Sequence, residues 1–533
     1  MSDTHMKIGE VIEVHGERCV IELSADPTIE MCDGYLPGQP GSNVKVGTCG
    51  ESVIGIVTTA RRAGSHNIAD CVLVGTLGDG GRFTRGVVTY PNIGQRAEVV
   101  GANELSSVFS GYEGYDFAFG RSAQTAGQRV YLNPNRFFSQ HVAVLGTTGC
   151  GKSCTVVSIL QHALAKYPDT HIIVLDLHGE YAAAFPGDDV LHVEGEKLEL
   201  PYWVMNFDEF QDMTIDPTED TARNQATVLR DSLLRARQSN ITKEVAGIIK
   251  SVTVDSPVHF EVEELVGQMR NWNIQLVPDA SGHMQPGPLY GVFDKFLIRL
   301  ESRMTDPRFS FMFQPTRYRD NKSLVQLLAD YLSIDSGKRM AVIDLSGVPS
   351  EAVAVVVAVV SRVAFDFNQW NPDRTRFPIL LVYEEAHNYV PNAPGARYTS
   401  AKIAVERVAK EGRKYGLGAL FVSQRPKELS DTVLAQCNNF VTMRLTNPDD
   451  QAYVRRLVPD AMSGLMGMLP ALRTGEALLL GDAVAMPTRT MIDKPEPLPA
   501  SSDIEFGKWW TDGVKGMDLD RIAKRWRARS RAL

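Results

Sequence analysis

The sequence predicts an α/β protein, in which a parallel sheet carries a phosphate-binding loop behind a small all-β module. Three stretches lead to that expectation. Residues 146–153 read Gly-Thr-Thr-Gly-Cys-Gly-Lys-Ser, between an apolar run at 142–145 and apolar residues at helical spacing (Val157, Leu160, Ala163, Leu164). Residues 378–385 read Pro-Ile-Leu-Leu-Val-Tyr-Glu-Glu, a buried-strand run ending in two acids. From about residue 6 to about residue 100, period-2 runs alternate with frequent Gly and Pro, as in a barrel or sandwich.

Taken in order, the β-rich module is expected to hold strands at 11–14, 19–23, 53–58, 71–74 and 86–90. Arg61 and Arg62 form its one basic pair, which reads as a solvated surface before it reads as a phosphate contact. Residues 101–137 are a mixed connector with no chemistry of their own. In the loop that follows, glycines let the backbone curl so that successive N–H groups face a phosphate, and the helix N-terminus adds positive potential. Gly146, Thr147, Thr148, Gly149, Cys150, Gly151, Lys152, Ser153 and Cys154 are therefore the candidate nucleotide-binding set. Lys152 is placed to meet the β- and γ-phosphates of ATP, and Ser153 to ligate Mg²⁺.

A second strand is expected at 171–176, next to the loop strand, followed by Leu-His-Gly-Glu-Tyr. In a parallel sheet this brings Asp176, His178 and Glu180 near the nucleotide, although spacing alone fits a polar strand end with a glycine turn equally well. Long helical patterns then fill 205–335, for example at 218–236, 260–269, 289–304 and 324–332. They separate Lys152 from Glu384 by 232 residues, far more than one βαβ unit needs, so an inserted helical subdomain is expected. The core resumes with a strand at 340–346, an apolar helix through Val363 and the strand ending in Glu384 and Glu385. One acid can hold the metal's hydration shell while the other orients or deprotonates the attacking water. Glu384 is assigned the metal and Glu385 the water, with Glu384 standing where Asp is usual. A helix at 405–415 carries Arg413, and the strand at 417–424 ends in Gln424, which can sense a γ-phosphate. A guanidinium such as that of Arg413 suits developing phosphate charge on a neighbour's ATP, but spacing alone favours a surface helix charge. Strands at 440–445 and 476–480 bring the expected sheet to about seven. Beyond a Pro-rich stretch at 495–499, Trp509 and Trp510 could anchor on another subunit. Residues 521–531, with six basic residues and no acid, suit DNA, a partner surface or plain solubility.

The bulk numbers narrow the setting. At 533 residues several modules are expected, and 44% hydrophobic with 22% charged residues excludes wholesale disorder. A net charge of −9 offers no global field for nucleic acid, so any DNA contact must be local. Seven cysteines without a Cys-x-x-Cys pair read as reduced thiols in the cytoplasm. No secretory leader is evident, and the most apolar run, 352–360, is shorter than the roughly 20 residues a membrane span takes.

Taken together, the β-rich N-terminus, the loop at 146–153, Asp-Leu-His-Gly-Glu-Tyr at 176–181, Glu-Glu-Ala-His at 384–387, Glu-Gly-Arg-Lys-Tyr-Gly at 411–416 and Ser-Gln-Arg-Pro at 423–426 resemble the HerA family. The resemblance covers nearly the whole chain, in order. It implies a RecA-like P-loop NTPase core related to the FtsK pumps, with an N-terminal barrel (1–110), core segments (111–204 and 336–498), a helical insertion (205–335) and a C-terminal brace (499–533). It further implies a homohexamer with ATP and Mg²⁺ at subunit interfaces and double-stranded DNA in a central channel. It strengthens the assignments of Asp176, Gln424 and Arg413, the last acting in trans. Family members commonly work beside a nuclease or an NAD-hydrolysing effector, in DNA end processing or anti-phage defence. An ATP-driven DNA motor is the first reading. An ATPase scaffold that allosterically activates such a partner is the second. A conjugative or secretion pump is a third, disfavoured by the missing membrane anchor.

Overall fold

In the computed structural model, residues 6–528 are described apart from 25–37, 49, 79, 126, 195–196, 335–336, 394–398, 502–503 and 514–515. Cys32, Cys49, Arg529 and Arg531 lie outside the described residues.

The N-terminal module is a closed barrel. Strands β1 (Lys7–His15), β2 (Arg18–Leu23), β3 (Asn43–Thr48), β4 (Glu51–Ala63), β5 (His66–Gly78), β6 (Phe83–Arg85) and β7 (Arg96–Val99) make it up. Pairing runs β2-β1-β7-β3-β4-β5 and returns from β5 to β2, which leaves no open edge among those six strands, with β6 laid against β5. Its interior is an apolar cluster of its own, including Val11, Ile21, Val53, Val57 and Cys71. Two strands escaped the sequence reading: β3 and β7 are short and interrupted by Lys45 and Glu98, so their period-2 signal is weak. Conversely, residues 86–90, expected as a strand, are irregular; the strand is β6, and it stops before the positive-φ Gly86.

The connector holds α1 (Ala102–Ser110), β8 (Gly120–Ser122) and α2 (Pro134–Ser139). Then come β9 (Val142–Leu145), α3 (Lys152–Lys166), β10 (Ile172–Asp176) and β11 (Val190–Val193). Helices α4 (Phe207–Thr214), α5 (Ala222–Ser239) and α6 (Val262–Asn273), the hairpin β12 (Leu276–Pro278) with β13 (Met284–Pro286), and α7 (Asp294–Thr305), α8 (Ser310–Phe313) and α9 (Ser323–Tyr331) follow. The chain returns through β14 (Met340–Asp344), α10 (Ser350–Trp370), β15 (Ile379–Tyr383), α11 (Thr399–Glu411), β16 (Leu417–Ser423) and α12 (Asp431–Ala435). It closes with β17 (Asn439–Thr442), α13 (Pro448–Leu457), β18 (Glu476–Gly481), β19 (Thr488–Ile492), α14 (Phe506–Asp512) and α15 (Leu519–Ala528).

The core sheet has ten strands, not about seven, in the order β11-β14-β10-β15-β16-β9-β17-β18-β19-β8. The strands from β11 to β17 are parallel, while β18, β19 and β8 extend the sheet as an antiparallel flank. The three missed strands are edge or flank strands with mixed residues (Val-Leu-His-Val, Thr-Arg-Thr-Met-Ile, Gly-Arg-Ser), whereas the predicted ones are the near-continuous apolar runs that a sheet covered on both faces requires. The order corrects one further expectation. The neighbours of β9 are β16 and β17, and β10 lies beyond β15 and β16. Helix α11 also begins earlier than expected, and residues 412–415 wind into a tighter 3₁₀ turn before β16.

Helices α4–α9 share one continuous apolar cluster with the core sheet. The tie between α4 and α10 is a buried ion pair. Arg362 donates to both oxygens of Glu209 (2.8 and 2.9 Å) and to the Val204 carbonyl (2.8 Å). Glu209 also closes the capping box of α4 with Asn206. Replacing Glu209 by Ala leaves the Arg362 guanidinium with Asp366 (3.3 Å) and the Val204 carbonyl alone and opens the cap, so a destabilisation of about 3 kcal/mol is expected in thermal or denaturant unfolding. Glu209→Gln, which keeps the cap and loses only the charge, is expected to fall between the two.

Candidate active site

Because the central strands are parallel, the turns after β9, β10, β15, β16 and β17 all emerge at one edge of the sheet, where α/β proteins bind ligands. The loop between β9 and α3 lies there. Gly149 and Gly151 adopt φ of 73° and 98°, the left-handed region in which a side chain is strained. Gly146 is required for space, since a Cβ there would sit 2.6 Å from Cys150 Sγ. Thr147 N–H donates to the Arg444 carbonyl (2.9 Å), and Gly475 N–H donates to the Cys150 carbonyl (3.0 Å), so the turns after β17 and before β18 back the loop. Cys150 turns its side chain inward against Met443 Sδ (3.8 Å), which leaves only its backbone to the loop. Burial pushes the Cys150 and Cys154 thiols up, so neither supplies a thiolate.

Around this loop the other predicted residues converge. Lys152 Nζ lies 3.9 Å from Glu385 Oε1, both side chains 9% exposed. Thr148 Oγ1 donates to Gln424 Oε1. Ser153 Oγ donates to Glu180 Oε2 at 2.9 Å, so Glu180 is the carboxylate that meets the loop serine. Asp176 is fully buried, and its carboxylate accepts from the N–H groups of His178, Gly179 and Tyr181 (3.3, 2.9 and 2.9 Å), which folds the turn that delivers Glu180. Glu384 accepts from Leu177 N–H (3.1 Å), turned toward β10. Burial, and then the negative charges of Asp176 and Glu180, push its carboxyl from 4.5 up to about 9. Glu385 is held at φ 45°, a left-handed conformation at a non-glycine residue, and its Oε2 is buried without a hydrogen bond.

This donor set fits Mg²⁺. Two oxygens in contact at Ser153 and Glu180 suit a hard cation that keeps several waters and takes one or two protein oxygens. No cage of three or more His, Cys, Asp or Glu ligands occurs among the described residues, and a cation shared with phosphates needs none. Ser153 and Glu180 would hold it, and it would supply positive charge against the charge that develops on the phosphates.

Arg413 is the exception to this convergence. It lies in the turn before β16, at the opposite end of a seven-residue strand from Gln424, roughly 20 Å away at strand rise. It is exposed there, beside His141, whose imidazole is pushed down to about 4 by burial, with Arg413 adding to the effect.

This assembly has relatives. Residues 117–364 match the helicase HerA central domain, and residues 368–497 match the helicase HerA-like C-terminal domain. The chain belongs to the HerA family. A probable helicase of Methanocaldococcus jannaschii is 27% identical, covering 74% of this chain and 71% of that one. The DNA double-strand break repair helicase HerA of Sulfolobus acidocaldarius is also 27% identical, covering 81% and 79%. Among solved structures, VirB4 of Thermoanaerobacter pseudethanolicus superposes with a TM-score of 0.49 at 15% identity, over 71% of this chain and 96% of that one. As a HerA-family member, the chain is a P-loop ATP hydrolase of the helicase and translocase type.

Legibility differed among the residues of the candidate site. The loop, Lys152, Glu385 and Gln424 were visible as motifs. The Ser153–Glu180 contact and the support from Arg444 and Gly475 were not, because they depend on strand order.

The displaced carboxyl of Glu384 gives a test by linkage. Between 4.5 and about 9 the folded state holds a proton that the unfolded state has released, so stability falls as pH rises, by up to about 1.4 kcal/mol per unit. Without nucleotide or divalent cation, the thermal midpoint of the wild type is expected to drop relative to Glu384→Gln from pH 6 to pH 9. Parallel pH profiles for the two proteins would contradict it.

Proposed function

We propose that the protein is an ATP-driven translocase on double-stranded DNA that works as a ring, most simply a homohexamer, with ATP and Mg²⁺ bound between subunits. The observation that carries this reading is the 3.9 Å approach of Lys152 to Glu385 at the strand edge, the two halves of a hydrolytic site joined across 233 residues of sequence. Lys152 and the loop N–H groups hold the β- and γ-phosphates. Ser153 holds the cation, with Glu384 and Glu180 ordering its water shell. Glu385 orients the attacking water, and Gln424 reports the γ-phosphate. Asp176 keeps the turn that presents Glu180. The DNA substrate is supported by relatives named as DNA double-strand break repair helicases.

The ring is supported by Arg413. A guanidinium at the far end of the sheet is out of reach of its own loop, yet exposed to that of a neighbour. The reading includes a separate nuclease or NAD-hydrolysing effector beside the motor, in end processing or anti-phage defence within the cytoplasm. No described helix is long and apolar enough to cross a membrane.

DNA-stimulated ATPase activity is expected to fall by at least about 100-fold in Lys152→Ala and Glu385→Ala. A purified oligomer whose ATPase ignores DNA, alone and with its partner, would overturn the motor. Triplex displacement on a duplex track separates translocation from a pure ATPase scaffold. For Arg413→Ala, mixing with Lys152→Ala subunits is expected to restore part of the activity, because each mutant supplies what the other's interface lacks; an inert mixture would contradict action in trans.

A further inference from the structure

One side chain at the strand edge takes no part in the proposed hydrolysis. His387 follows the acid pair by two residues, inside a short 3₁₀ turn at 386–388. Its Nδ1 lies 3.1 Å from Ser423 Oγ and 3.3 Å from Glu385 Oε2. The first is a formed hydrogen bond. The second is a close approach only, because Glu385 Oε2 carries no aligned donor. One ring nitrogen thus stands between the Ser423 hydroxyl and the Glu385 carboxylate and is hydrogen-bonded to the first.

We propose that His387 is a positioning residue for ATP hydrolysis, which exchanges its Nδ1–H from Ser423 to Glu385 when the γ-phosphate is bound and so fixes the carboxylate that orients water. The proposal rests on the assignment of Glu385 to the water. Three independent features of the structure bear on it.

The first is the chemistry of the ring. Burial lowers the basicity of His387 more than the nearby Glu385 and Glu428 raise it, so the ring is neutral at ordinary pH and has one donor nitrogen. With the proton on Nδ1, Ser423 Oγ accepts twice, from His387 and from Arg425 N–H at 3.0 Å, which fills its two lone pairs. Glu385 Oε2 is then left unpaired, an arrangement that a buried carboxylate oxygen leaves readily once another state is available.

The second is the position of Ser423. It is the last residue of β16 and precedes Gln424, whose side chain accepts from the Thr148 hydroxyl of the phosphate loop. Phosphate entering the loop competes for both Thr148 and Gln424. It also draws Lys152 from Glu385, which removes the cation 3.9 Å from that carboxylate's other oxygen. The same event therefore perturbs the residue beside Ser423 and leaves Glu385 in need of a donor, and His387 is within reach of both.

The third is that the two turns are tied. Ser430 N–H donates to the Val390 carbonyl (3.0 Å), and Asn392 N–H donates to the Glu428 carbonyl (2.8 Å). The segment after Glu385 and the segment after Gln424 are thereby held in register, so a displacement at Gln424 is carried to the base without unfolding either turn. The left-handed φ of Glu385, 45°, is the strained element that such a contact would hold in place.

The test uses the full-length enzyme with ATPase kinetics and the affinity for a fluorescent ATP analogue measured side by side. His387→Ala is expected to lower kcat roughly 10- to 100-fold, as loss of an orienting partner does, with analogue affinity within about 3-fold of wild type. His387→Asn, whose side-chain amide can place an N–H near the Nδ1 position, is expected to recover most of the loss. If kcat in His387→Ala is unchanged, or affinity falls in step with kcat while the Asn variant is no better, the proposal is overturned. An inactive wild type would instead overturn the assignment of Glu385 and the proposal with it, whereas an active wild type that is lost in Glu385→Gln but untouched in His387→Ala overturns the proposal alone.

Discussion

The site depends on a concentration of negative charge at the ends of parallel strands. Asp176, Glu384 and Glu385 are buried and Glu180 half-buried at one edge of the sheet, with Lys152 as the cation that touches the group. Several carboxylates in a low-dielectric site cannot all stay ionised. The protein meets this in three ways. Asp176 accepts from three backbone N–H donors, Glu384 retains a proton, and Glu385 leans on Lys152. The last two of these would be undone by cation and phosphate. A divalent ion lowers the cost of ionising the cluster, and the phosphates claim Lys152.

Sheet order decides which of these partners meet. Had β10 bordered β9, Asp176 itself would face the loop. With β15 and β16 between them, Asp176 instead shapes a turn that reaches back across two strand ends to place Glu180 on Ser153. The insertion between β11 and β14 leaves this edge intact because it packs elsewhere, through Arg362 and Glu209, on the helix that precedes β15. The barrel, with its own core and no free edge among its six closing strands, adds a rigid module without disturbing the sheet.

The sequence was most legible where physics leaves little choice. A strand covered on both faces must be apolar, so β9, β10, β14, β15 and β16 announced themselves, and a loop that cradles phosphate must carry glycine at Gly146, Gly149 and Gly151. It was least legible at the margins of the sheet, where β8, β11 and β19 carry His, Arg and Thr and obey no strong period. Contacts set by strand order were hidden for another reason. Ser153 and Glu180 are 27 residues apart, and His387 and Ser423 are 36 apart, with nothing local to mark them as neighbours.

The placement of Arg413 turns these local facts into a statement about assembly. Within one chain the phosphate loop gathers Lys152, Ser153, Gln424 and Glu385, but Arg413 sits at the opposite end of β16. A closed set of neighbours resolves this, since each subunit then offers its far edge to the near edge of the next. Under that arrangement the rate of hydrolysis in one site depends on how its neighbour is seated. In the proposed ring, a load that shifts one subunit against the next would then be felt as chemistry, because Arg413 would reach the phosphates only when the two edges meet.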